Sequence, residues 1–206
     1  MSSREAILGS IRSHLAASPP NDQAISVFSD PPDLPATMPV VELFKESLEA
    51  VDGQCVVVQT EEELARILEN FGGRIAISDA PALSRLLPAA EIAPNSSDIF
   101  KFDVGVSTAQ AAIAETGTLV LDSARERHRV VSLVPPVHIA IIDATTIFQT
   151  LGQALAFIHR NGDISPAVTF ITGPSRTADI ELTLAIGVHG PQELYVIINE
   201  GPPLTR

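Results

Sequence analysis

Two patterns of apolar residues alternate along this chain, helical spacing in some stretches and continuous runs in others. Ser2-Ser-Arg-Glu5 resembles a capping box, and Ile7, Leu8, Ile11 and Leu15 follow on one face, which predicts a helix from about residue 3 to 17. Helical spacing returns at 41–51, with Leu43, Phe44, Leu48 and Val51 inward. Glu61-Glu-Glu63 opens another helix, which Gly72-Gly73 ends. Shorter helices are expected at 81–87, 109–114 and 146–159. Continuous or alternating apolar runs predict strands at 54–59, 74–78, 102–106, 117–122, 130–133, 137–142, 168–172 and 194–199.

Strands of continuous apolar character set between helices predict an α/β fold, a mostly parallel sheet with helices on both faces. Ligands of such sheets are expected off the carboxyl ends of the strands. Residues 1–39 are read as an N-terminal helix and a Pro-rich arm, because six of the sixteen prolines fall between Ser18 and Pro39. Residues 40–206 are read as the α/β domain. The leading helix is expected to pack back on that domain or on a partner protein.

Composition narrows the function classes. The chain is 45% hydrophobic with no Trp and one Tyr, so its core is aliphatic. A net charge of -12 argues against nucleic acid as a partner. Cys55 is the single cysteine, which excludes an intrachain disulfide and a cluster held by four thiolates of these residues. No window approaches 18 consecutive apolar residues, so no membrane span is expected. The charged N-terminus lacks the features of a signal peptide, and the expected location is the cytoplasm. The histidines at 14, 128, 138, 159 and 189 have no metal-ligand spacing, so no metal site is expected.

Three regions could carry chemistry. In the first, the run ending at Ile171 meets Gly173-Pro174, a turn-forming pair. Ser175 or Thr177 could cap a following helix, with Asp179 and Glu181 in or near its first turn. A helix N-terminus beside Arg176 would make an anion site. A well-capped connection with a solvated arginine fits the same residues. In the second region, Gly105 allows close backbone approach and Ser107 or Thr108 could cap the small-residue helix expected at 109–114. Glu115-Thr116-Gly117 then turns the chain. Glu115, the only charged residue between Asp103 and Asp122, is either a functional carboxylate or a surface turn glutamate. The third region, Arg125-Glu-Arg-His-Arg129, is a local positive patch or a solvated hairpin loop. His138, after Ser132-Leu-Val-Pro-Pro-Val137, and His189, within Gly187-Val-His-Gly190, could each face a ligand. A satisfied histidine at a strand start is the plainer reading of His138.

These motifs, taken in order, resemble the LUD-domain family: Ala114-Glu-Thr-Gly-Thr-Leu119, the Ser132–His138 segment, Thr172-Gly-Pro-Ser-Arg-Thr-Ala-Asp-Ile-Glu181 and Gly187-Val-His-Gly-Pro191. The resemblance runs from about Val40 to Asn199. It implies a fold similar to the sugar-isomerase and CoA-transferase group. It also implies a subunit role in oxidising L-lactate to pyruvate, in a complex with two iron–sulfur-type proteins that would carry the clusters. A small anionic ligand on this chain would then be held by Arg176 and the backbone of 173–177. The Glu-Thr-Gly turn is loosely similar to the nucleophile-bearing turn of CoA transferases, which implies the alternative of a stand-alone transferase or isomerase using Glu115.

Overall fold

The computed structural model describes residues 3–17, 38–78, 81–93, 98–123, 128–160, 167–178, 184–186 and 190–204. The chain divides into two units, Met1–Pro31 and Pro32–Arg206. In the first, α1 (Ser3–Ala17) forms over the residues whose spacing predicts it, with Glu5 in its first turn and His14 in its last. That placement suits the helix dipole at both ends.

The second unit is built on a six-stranded, wholly parallel sheet. Its strands are β1 (Gln54–Val58), β2 (Ile75–Ile77), β3 (Glu91–Ile92), β4 (Val104–Thr108), β7 (Val137–Asp143) and β12 (Glu193–Asn199), in the order β1-β12-β7-β4-β2-β3. The helices are α2 (Val40–Glu49), α3 (Glu61–Glu69), α4 (Pro81–Leu86) and α5 (Leu151–Arg160). A smaller sheet runs β8-β5-β6-β9, from Ile147–Phe148, Ala111–Ile113, Thr118–Asp122 and Val168–Ile171. Arg176–Ala178 (β10) and Leu184–Ile186 (β11) pair antiparallel.

Alternation along the strands sorts side chains onto two faces. Val58, Ile77, Val104, Val106, Ile139, Ile141 and Ile197 pack against Leu64 and Leu68 of α3 and Leu83 of α4. On the opposite face Ala140, Ile142, Leu194, Val196 and Ile198 meet Phe44 and Leu48 of α2 together with Ala112, Leu119 and Leu121 of the smaller sheet. Helices therefore lie on both faces, and one face is shared with a second sheet. Ala154 of α5 packs on Ala111, Ile113 and Val120, the outer side of that second sheet. Each fully buried Leu or Ile contributes roughly 1.5–3 kcal/mol.

Local signals explain the helix starts. Thr60 caps α3 by accepting from Glu63 N at 3.2 Å. At α5, Thr150 and Gln153 form a reciprocal capping box: Gln153 N donates to Thr150 Oγ1, and Thr150 N donates to Gln153 Oε1. The helix expected from residue 146 therefore starts at Leu151; the residues before it form a 3₁₀ turn (Ala144–Thr146) and β8.

Three other segments differ from their sequence pattern. The small-residue stretch 109–114 is not a helix: Ala111–Ile113 is β5, paired with β6 and β8, and Ala114–Thr116 is a 3₁₀ turn. Burial between the two sheets and α5 selects Ala there, so packing overrides its helical propensity. The strand expected at 130–133 is a 3₁₀ turn, Arg129–Ser132. Past Gly173-Pro174 the chain enters β10 rather than a helix, because Arg176, Thr177 and Ala178 pair with Ile186, Ala185 and Leu184. Asp179 and Glu181 lie outside the described residues.

Candidate functional site: a cavity over His138

The amino-terminal edge of the parallel sheet carries the site. His138 is the second residue of β7 and sits beside Gly105 of β4 and Leu194 of β12 in the ladder. Gly105 is needed there, because a Cβ would lie 2.0 Å from the carbonyl oxygen of Val131. That close approach brings the 129–132 turn down onto β4. Ser132 is buried, and its hydroxyl donates to Arg129 O at 2.9 Å.

Above this floor lies a cavity of about 370 Å³. Its polar lining comes from Ser132, His138, Thr169, Thr172 and Ser175, and its apolar walls from Leu133, Phe170, Ile171, Pro191 and Leu194. Gly173 (φ 83°) and Gly190 (φ 99°) shape the loops over it. Ser175 N donates to Pro191 O at 2.7 Å and ties those loops together. A Cβ on Gly173 would meet Val51 O at 2.6 Å, just ahead of β1. The expected position at the carboxyl ends of the strands is thus corrected. Strand β9 belongs to the smaller sheet, antiparallel to β6, so the turn after it is carried to the amino-terminal edge of the large one.

His138 and Ser107 are both fully buried, with Nε2 and Oγ 2.8 Å apart. The other ring nitrogen, Nδ1, has no hydrogen-bond partner among the described residues. Burial pushes the imidazole pKa down to about 3, because the cation would lose its hydration without gaining a counter-charge. The ring is therefore neutral at physiological pH. A buried polar atom left without a partner needs a reason, since such groups are normally satisfied.

The other expected site residues have different surroundings. Arg176 is an exposed residue of β10 whose guanidinium pairs with Asp52. With no helix start at this turn and the guanidinium engaged, the described residues do not build the expected anion site from Gly173, Pro174, Ser175, Arg176 and Thr177. Gly173 and Ser175 line the cavity instead. Glu115 is exposed; its Oε1 accepts from the Leu151 N–H at the start of α5 at 3.2 Å, and it is not among the residues lining the cavity. That contact favours a structural pin over a nucleophile. Thr116 joins a hydroxyl chain, with Thr116 Oγ1 2.7 Å from Thr118 Oγ1, which is 2.6 Å from Thr172 Oγ1. Gly117, at φ 63°, packs against the backbone of α2. Ser107 and Thr108 close β4 rather than cap a helix. His189 lies outside the described residues. The sequence reading missed Thr169, Phe170 and Leu194, because strand alternation does not reveal which sheet a strand joins.

Residues 74–199 match the LUD domain. The chain belongs to the LUD-domain family. A protein from Geobacillus sp. (strain WCH70), named lactate utilization protein C, is 32% identical over 190 residues, covering 78% of each chain. One of the same name from Exiguobacterium sp. (strain ATCC BAA-1283 / AT1b) is 33% identical over 163 residues, 71% of each chain. The fold is also that of a DUF162-family crystal structure from Deinococcus radiodurans. That likeness has a TM-score of 0.57 at 24% identity and covers 78% of this chain and 96% of the other. The motifs read in the sequence, from Gly105–Leu119 to Gly187–Pro191, fall inside the matched span. No helix among the described residues is long and apolar enough to cross a membrane.

Proposed function

We propose that this protein is a subunit of a lactate-utilization system that oxidises L-lactate to pyruvate, and that it contributes a small-molecule site rather than a redox centre. The observation that carries this reading is the match over 78% of both chains to a relative named for lactate utilization. In this reading iron–sulfur clusters on two partner proteins, which the family resemblance implies, take the electrons from lactate, and the single thiol of these 206 residues, Cys55, agrees with that division. The part taken by this chain is the cavity over His138. It has the size of ordinary small-molecule sites, apolar walls with a few polar groups, and one titratable group with a strongly perturbed pKa. Glu115 holds α5 in this reading.

The test is reconstitution of the chain with its two partners and measurement of lactate-dependent dye reduction. Omitting the chain should reduce the rate at least severalfold. Equal rates with and without it would overturn the subunit role.

A further inference from the structure

We infer that the cavity takes an uncharged ring carbonyl compound, and equally its hydroxyl form, seated on the free nitrogen of His138. This rests on reading the cavity as the protein's small-molecule site. Charge is the first reason. No described residue lining the cavity is charged at neutral pH, and the nearby guanidinium of Arg176 is engaged by Asp52. A carboxylate would leave water without a counter-charge to receive it, whereas an uncharged ring loses little. The walls are the second reason: Leu133, Phe170, Ile171, Pro191 and Leu194 offer apolar surface, and Phe170 at the rim can stack on a ring.

The third reason is the pairing below. Ser107, which does not line the cavity, holds Nε2, and Nδ1, a buried atom of a ring that lines the cavity floor, is the one still in need of a partner. A serine hydroxyl both donates and accepts, and a neutral imidazole carries its proton on either nitrogen. When Ser107 donates to Nε2, the proton is on Nδ1, which donates to a carbonyl. When Nε2–H donates to Ser107, Nδ1 accepts from a hydroxyl. Both arrangements contain the same number of hydrogen bonds. One buried pair therefore receives a ring in its carbonyl form and in its hydroxyl form, as in a quinone and its quinol, with no change in net charge.

The experiment uses the full chain with isotope-labelled histidine rings. A dimethyl-substituted naphthoquinone serves as the carbonyl probe, a naphthol as the hydroxyl probe, and pyruvate and L-lactate as charged probes. Methyl groups on the quinone keep Cys55 from adding to it. The two neutral probes should bind by calorimetry and move the His138 ring-nitrogen signals, and the two anions should do neither. Ser107→Ala leaves the carbonyl probe an Nδ1–H donor. The hydroxyl probe then leaves one donor unpaired either way: Nε2–H when it donates to Nδ1, or its own O–H when it accepts from Nδ1–H. Naphthol affinity should fall on the order of tenfold, and the quinone's by much less. Binding of pyruvate or lactate at His138 without the neutral rings would overturn the ligand class and leave the cavity as a site. Equal losses for both probes in Ser107→Ala would overturn the proton exchange. No binding and no movement of His138 with any probe would overturn the cavity as a site, whatever the outcome of the dye-reduction assay.

Discussion

His138 Nε2 and Ser107 Oγ lie 2.8 Å apart on adjacent parallel strands, with both side chains fully buried. The contact crosses the sheet diagonally, since Gly105 and not Ser107 is the ladder partner of His138. The absent side chain at Gly105 leaves room for the 129–132 turn and for Pro135.

Acid should destabilise this protein through His138. Its pKa is about 3 when folded and ordinarily 6.5, so between these values the unfolded chain binds the extra proton. Stability rises with pH across that window and falls as pH drops below 6.5. The contribution of this one group has a slope of at most about 1.4 kcal/mol per pH unit. Chemical denaturation of wild type and His138→Gln from pH 7 to pH 4 measures it. The variant should show the shallower decline, and parallel curves would mean that His138 binds a proton as readily in the fold as in the unfolded chain.

Glu115 should matter to α5 and not to ligand binding. Removing its carboxylate leaves the Leu151 N–H without that acceptor. Glu115→Ala should cost about 1 kcal/mol or less, the scale of a helix-end contact, and Glu115→Gln still less. Thermal unfolding reads both. If Glu115→Gln keeps its stability yet abolishes lactate-dependent activity in the assembled system, the carboxylate acts chemically.

Gly117→Ala should be severe. Its φ of 63° is left-handed, and a Cβ would lie 2.5 Å from Leu48 N in α2. Backbone strain and overpacking together are worth on the order of 2–4 kcal/mol. The midpoint of denaturant unfolding should fall accordingly, and an unchanged midpoint would mean that α2 moves aside without cost.

Arg176→Ala should have little effect. The guanidinium and its partner Asp52 are both substantially exposed, so the pair contributes about 0–1 kcal/mol. A double-mutant cycle with Asp52→Ala should return a coupling energy in that range. Affinity for ligands in the cavity should not change. A tenfold loss of binding would restore Arg176 to the site.

Much of the fold is legible in residue order alone. The period of Leu43, Phe44 and Leu48 specifies α2, and the acidic run Glu61-Glu-Glu63 marks the start of α3. The valine and isoleucine runs at 54–58, 137–142 and 194–199 specify strands, the last two largely buried on both faces. These are local effects, in which side-chain spacing and the first turn of a helix decide the outcome over a few residues. The motifs around Gly105, Glu115, His138 and Gly173 also stood out, enough to show a resemblance to the family.

Tertiary structure decided the rest. Ala111–Ile113 reads as helix and is a strand, because the large sheet closes on it from one side and α5 from the other. Arg176 reads as a helix-start cation and is a strand residue, because β11 is there to pair with it. Ser107 and His138, 31 residues apart, look unrelated in the sequence. They meet because β4 and β7 are neighbours in the sheet. The cavity over them takes its walls from β9 and the start of β12, segments that come together only when the smaller sheet packs on the larger. Local spacing specifies which residues form elements; which elements become neighbours depends on how apolar faces far apart in the chain bury one another.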